Sequence, residues 1–141
     1  MTARTPALAA LLMLAVPASA SAAVPGPYGG TSVDKEIYVY GDVEPRTDKG
    51  TVAFKVTSKA VTKFKLKGQQ IMCGASPFAV PVSVAKIKLD AQGRGKGTYT
   101  NPNVGAFTVR IKVTGKGKAS GTITPTGLCA GKVTFSAKHS S

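Results

Sequence analysis

The sequence predicts an all-β fold: a single antiparallel β-sandwich or flattened barrel of about nine short strands with one disulfide. Three observations carry this. Apolar and polar residues alternate in run after run, the two-residue period of strands with one face in a core and one in water. Turn residues, chiefly Gly, Asn, Asp and Pro, separate the runs at intervals of roughly eight to twelve residues. After the first twenty-odd residues no stretch repeats its apolar positions with a helical period.

The chain opens on a different pattern. Arg4 precedes an unbroken apolar run from Ala7 to Val16, Pro17 breaks it, and the small residues Ala18 to Ala23 follow. A positive start, a short apolar stretch and an A-x-A site form a secretory signal peptide. Residues 1–22 are expected to be removed, with cleavage after Ala22 or, as the alternative, Ala20. The apolar run is half the roughly 20 residues that a membrane span needs. The expected mature product is therefore secreted, with residues 23–32 as an extended lead-in and 33–141 as one β-rich domain.

Five runs read clearly as strands. Thr51–Thr57 places Val52, Phe54 and Val56 on one face, and Lys63–Lys67 places Phe64 and Leu66 inward with three lysines outward. Lys86–Leu89, Phe107–Val113 and Lys132–Lys138 repeat the pattern. Weaker strands are expected at Ile37–Val43, Gln69–Cys73, Val80–Val84, Gly97–Thr100 and Ala119–Thr124. The parity shift between Val84 and Ile87 predicts a bulge near Ala85. Turns are expected at Asp48-Lys49-Gly50, Ser58-Lys59, Gln92-Gly93, Asn101-Pro102-Asn103, Gly115-Lys116-Gly117 and Pro125-Thr126-Gly127. Sandwich and barrel stay equally open.

Two cysteines remain after the leader, Cys73 and Cys129. An exported chain meets an oxidising compartment, where an even count favours a bridge, and two cysteines allow one pairing.

Of 19 Lys and Arg, Arg4 leaves with the leader, so 18 stand against 6 acidic residues. Five of those acids lie between Asp34 and Asp48; beyond that point only Asp90 is acidic. Such a field draws in polyanions over about a Debye length. On their strands, Lys63, Lys65 and Lys67 share a face, as do Lys86 with Lys88 and Arg110 with Lys112. These seven residues are the candidate polyanion-binding set. Neutralising about six phosphates would cost roughly a thousandfold in affinity between 50 and 200 mM salt. The competing explanation is that outward lysines keep a β protein soluble and blunt its edges.

Other chemistries find little support. The only histidine, His139, is the third residue from the end, where chains fray, and a general acid–base needs to be held. Asp34, Glu36, Asp42, Glu44 and Asp48 read as a solvated acidic edge rather than as paired catalytic carboxylates. Their spacing misses the calcium-loop signature, and zinc would need cysteines that the bridge consumes. No metal and no cofactor is expected. Gly93-Arg94-Gly95-Lys96-Gly97 and Gly115-Lys116-Gly117-Lys118-Ala119-Ser120 lack the P-loop pattern and read as basic hairpin turns.

An opening Gly26-Pro27-Tyr28-Gly29-Gly30-Thr31 leads to Val52-x-Phe54-x-Val56, then Val61-x-x-Phe64, Cys73, and Cys129-Ala130-Gly131-x-Val133-x-Phe135. In that order the mature chain resembles a group of small secreted β-rich proteins of high-GC Gram-positive bacteria. The resemblance implies the β fold and the Cys73–Cys129 bridge, and it brings no activity with it.

The expected function is that of an exported, non-enzymatic protein binding anionic envelope or extracellular polymers. Single-stranded nucleic acid fits less well, because its readers interleave stacking aromatics with their cations. Here Phe54, Phe64, Phe107 and Phe135 all fall on the inward parity. Teichoic acids, anionic lipid headgroups or acidic polysaccharides need charge alone. The alternative is a protein-binding or inhibitor module using an exposed strand, for which Tyr38 and Tyr40 are the candidates.

Overall fold

In a computed structural model the described residues are 23–39, 42–74 and 76–140, with no side chain described between residues 35 and 47. The expected signal peptide lies outside them. Eleven strands and no helix make up the described part: β1 (Gly26–Val39), β2 (Asp42–Val56), β3 (Ala60–Lys67), β4 (Gln70–Cys73), β5 (Ser76–Ala79), β6 (Val82–Lys88), β7 (Arg94–Asn101), β8 (Gly105–Val113), β9 (Lys118–Pro125), β10 (Cys129–Ala130) and β11 (Val133–His139).

Eight strands form one antiparallel sheet in the order β6-β3-β2-β1-β11-β9-β8-β7, curled into a nearly closed barrel. The architecture is thus the barrel of the two expected alternatives. The remaining strands form a small sheet, β10-β4-β5, packed against β1 and β2. Ile71, Cys73 and Cys129 of that sheet belong to the same apolar core as the barrel interior.

The inward parity read from the sequence holds. Val52, Phe54 and Val56, Phe64 and Leu66, and Phe107, Val109, Ile111 and Val113 are all buried. Tyr28, Phe54, Phe64 and Phe135 form a continuous aromatic row, with successive ring centroids 5.3, 5.7 and 5.4 Å apart. Offset rings at such spacings add to simple area burial.

The barrel closes where β6 meets β7. Here the inward positions of β7 are Gly95 and Gly97, and a Cβ at Gly95 would sit 2.4 Å from the Lys88 carbonyl oxygen. Only a residue without a side chain lets the strands approach this closely. Gly95→Ala is expected to destabilise the domain by about 1–3 kcal/mol, because backbone must move to admit the methyl group. Gly29→Ala, where a Cβ meets nothing within 4 Å, should leave stability unchanged or raise it slightly. Chemical denaturation of the two variants checks this, and equal midpoints would contradict it.

Several expected elements are corrected. The segment 23–32 is not a lead-in: from Gly26 it is the first half of β1, hydrogen-bonded to β2 on one side and β11 on the other. A single strand over Ile37–Val43 is replaced by a reversal, since Val39 of β1 pairs with Asp42 of β2. Asp48-Lys49-Gly50 is not a turn but lies within β2, where Gly50 makes room for the buried Gln69, whose Cβ a methyl at Gly50 would meet at 2.7 Å. Val80–Val84 and Lys86–Leu89 merge into β6. The parity slip there is real, with Ala85 and Lys86 both exposed, yet β6 keeps one register against β3 from Ala60↔Lys88 to Leu66↔Val82. The bulge falls instead on β3 opposite β2, between Ala53↔Lys65 and Lys55↔Thr62, where Lys63 takes a φ of 54°. One left-handed residue absorbs the extra position, and β6 follows β3. Gly93-Arg94-Gly95-Lys96-Gly97 is mostly the start of β7, not a hairpin turn, and Lys118–Ser120 opens β9.

Candidate functional site

The disulfide joins Cys73 of β4 to Cys129 of β10, which lie directly opposite each other in the small sheet. Both residues are buried, so the bridge is part of the core and not a surface thiol pair.

A largely buried polar cluster lies at the start of β4. The Ser32 hydroxyl donates to Gln69 Oε1 at 2.7 Å, and Gln69 Nε2 donates to the Gln70 carbonyl at 3.0 Å and the Asp48 carbonyl at 3.3 Å. Asp48 Oδ2 accepts the Gln70 backbone N–H at 2.7 Å. Gln69 has no exposed surface and Asp34 has 2 %. The expected solvated acidic edge is therefore corrected for two of its members. Asp34 is buried and Asp48 bonds into this cluster, because β1 and β2 turn that face toward the small sheet. The side chains of Glu36, Asp42 and Glu44 lie outside the described residues, as do those of Tyr38 and Tyr40. The cluster is a polar joint between barrel and small sheet, since its hydrogen-bonding groups are spent on one another.

His139 is held more firmly than its position in the sequence suggests. It is a residue of β11, paired with Tyr28 and packed edge-on against the Tyr28 ring at 5.5 Å, and its backbone N–H donates to the Gly117 carbonyl at 2.8 Å. The Tyr28 hydroxyl donates to the Val24 carbonyl at 2.8 Å, and burial raises its pKa. The contact with His139 is a packing contact.

The candidate cations all stand outward. Lys63, Lys65 and Lys67 on β3, Lys86 and Lys88 on β6, and Arg110 and Lys112 on β8 are exposed. They share the outer face of one sheet. β3 and β6 are neighbours, while β8 is reached across the seam by way of β7. Sequence reasoning missed what β7 adds: Arg94 and Lys96 are also exposed, opposite Lys112 and Arg110 respectively. The signal that could have found them is the strict alternation of Arg94-Gly95-Lys96-Gly97-Thr98-Tyr99, hidden because glycine occupies the inward positions. The one acid in this half of the chain, Asp90, is turned to its own loop, where Oδ1 accepts the backbone N–H groups of Gln92 and Arg94, both at 2.9 Å.

Among the described residues no group of three or more His, Cys, Asp or Glu is placed to hold a metal ion, and no helix is long and apolar enough to cross a membrane. No family model matches the chain, and no curated protein or solved structure matches it.

Proposed function

We propose that this is an exported, non-enzymatic protein that binds anionic polymers of an envelope or extracellular matrix through the outer face of its barrel. The observation that carries the reading is the row of exposed cations on β3, β6, β7 and β8. Beyond Asp48 the sequence holds a single acid, Asp90, and its carboxylate is bonded to its own loop. Export rests on the leader pattern of residues 1–22, and a buried disulfide is compatible with it.

The mechanism is electrostatic. Lysine and arginine side chains replace condensed counterions along the polymer, and release of those ions drives binding. No deep pocket is needed. The domain comprising residues 23–141 should be retained on a heparin or teichoic acid column at about 150 mM salt and pass freely through an uncharged one. Free passage through both would make the lysines a solubility device and overturn the reading.

A second reading is a protein-binding module. The side chains of Phe78, on the edge strand β5, and Leu128 are 52 % and 58 % exposed, which gives such a module an apolar contact and an open strand edge. It would show salt-insensitive binding to a single protein, weakened by Phe78→Ala.

A further inference from the structure

The exposed cations are not all placed alike, and strand register separates them into two kinds. On the β3 and β6 side each paired cation faces a neutral residue: Lys67 opposes Thr51, Lys65 opposes Ala53 and Ser83, Lys86 opposes Thr62, and Lys88 opposes Ala60. That is how a sheet carries lysine for solubility without self-repulsion. On the other side of the barrel, cations are set directly against cations. Lys112 opposes Arg94, Arg110 opposes Lys96, and Lys138 opposes Lys118. Directly opposed residues of an antiparallel pair hold their Cβ atoms about 4.5–5.5 Å apart, and like charges there are destabilising. With no acid in the chain beyond Asp90, three such pairs amount to repulsion that an anionic ligand would relieve.

Five of these six cations, all but Lys96, border two adjoining depressions on the outer face. One, of about 440 Å³, lies over β1, β11 and β9, with Lys118 and Lys138 at its side and Thr31, Ser136 and Ser120 among its lining. The other, of about 320 Å³, lies over β9, β8 and β7, bordered by Arg94, Arg110 and Lys112. Ser120 lines both, so they form one groove running across the strands. Neither part has an aromatic ring in its lining. Nucleic-acid bases are gripped by stacking on aromatic rings, and the flat face of a sugar ring is likewise best held against an aromatic ring. What this groove offers is a floor of small residues, Gly29, Gly30, Ala119 and Ala137 among them, studded with the hydroxyls of Thr31, Ser120 and Ser136 and flanked by cations. A guanidinium matches the two free oxygens of a phosphodiester, and hydroxyl donors complete the set.

Resting on the polyanion reading above, we infer that the contact site is this groove and that its ligand is an open-chain polyol phosphodiester polymer. Phosphates sit between the opposed cations, and polyol hydroxyls lie over Thr31, Ser120 and Ser136. The lysines of β3 and β6 supply only long-range attraction.

Two charge-matched triple variants test this in the domain 23–141. One carries Lys112→Gln, Lys118→Gln and Lys138→Gln. The other carries Lys63→Gln, Lys65→Gln and Lys67→Gln. The probe is poly(glycerol phosphate), with heparin and a single-stranded oligonucleotide as comparison ligands. The groove variant should bind poly(glycerol phosphate) at least about tenfold more weakly, with the log–log salt slope reduced by about 2, as three lost phosphate contacts require. The β3 variant should lose no more than about threefold. The groove variant should also melt at a higher temperature than the parent, since two opposed like-charge pairs are removed. Equal losses in the two variants would overturn the groove while leaving polyanion binding intact. Tighter binding of heparin or the oligonucleotide would overturn the ligand class. No binding of any polyanion by the parent domain would remove the reading on which the groove rests.

Discussion

Replacing Phe64 by alanine should destabilise the domain by about 3–5 kcal/mol. Phe64 has no exposed surface, and its ring lies between Phe54 at 5.7 Å and Phe135 at 5.4 Å. It therefore joins β3 to β2 on one side and to β11 on the other, across the barrel interior. Truncation leaves a void lined by two rings that belong to different strands, and neither can move inward without breaking its ladder. The residue also follows the bulge at Lys63, so its ring fixes the place where β3 changes parity. Domains of this size are stable by roughly 5–15 kcal/mol, so the loss should shift the urea midpoint far toward zero. Phe78→Ala is the control: that ring is 52 % exposed, and the change should fall within about 0.5 kcal/mol. A Phe64→Ala loss below about 1 kcal/mol would mean that the aromatic row does not organise the core.

The second large effect is expected from the disulfide. Cys73 and Cys129 are 56 residues apart in the chain. Closing a loop of that length stabilises by about 4 kcal/mol in the chain-entropy model. The paired Cys73→Ala and Cys129→Ala variant should lose an amount of that order, measured by denaturation of the parent under oxidising conditions against the variant. The fold localises the loss. β10 is two residues long and pairs only with β4, so without the bridge little holds it there. Ile71 and Gln69 on the neighbouring strand and its lead-in would be the next to gain water. Hydrogen exchange should therefore quicken over residues 69–79 before it does over β8 and β9. Coincident denaturation midpoints for parent and variant would show that the small sheet is held by the Ser32–Gln69–Asp48 cluster instead.

How much was legible in the sequence depended on what occupied the inward positions. β3, β8 and β11 carry Phe, Leu, Val or Ile inward and charged or hydroxyl residues outward, so their alternation is plain. β1 is nearly silent in its first half, because Tyr28 is the one large inward residue there and glycines surround it. β7 was missed as a long strand for the same reason: Gly95 and Gly97 stand where apolar side chains would have announced a core face. Their absence is what lets the barrel close onto β6. β5 and β10 are too short to show a period. Sandwich and barrel differ in which strands are neighbours, a long-range property that no local pattern encodes.

The candidate surface was legible in part for a related reason. Parity alone turned Lys63, Lys65, Lys67, Lys86, Lys88, Arg110 and Lys112 outward, and outward they are. Which cation faces which is a matter of register between strands, set by hairpin geometry and the bulge at Lys63. Only the assembled sheet brings Arg94 against Lys112, or Lys138 against Lys118, and so distinguishes lysines spaced among neutral residues from cations pressed together along a groove.

If this barrel binds linear polyanions by charge, as proposed, the salt dependence of binding by the domain 23–141 reports it. Dissociation constants for poly(glycerol phosphate) should be measured by fluorescence titration from about 50 to 200 mM salt. If about six phosphates of this single-stranded polymer are neutralised, the log–log slope should be near −4, a loss of a few hundredfold across that range; the roughly thousandfold figure belongs to the higher charge density of a duplex. A slope near zero, or no measurable binding even at the lowest salt, would mean that charge on this face does not bind polyanions.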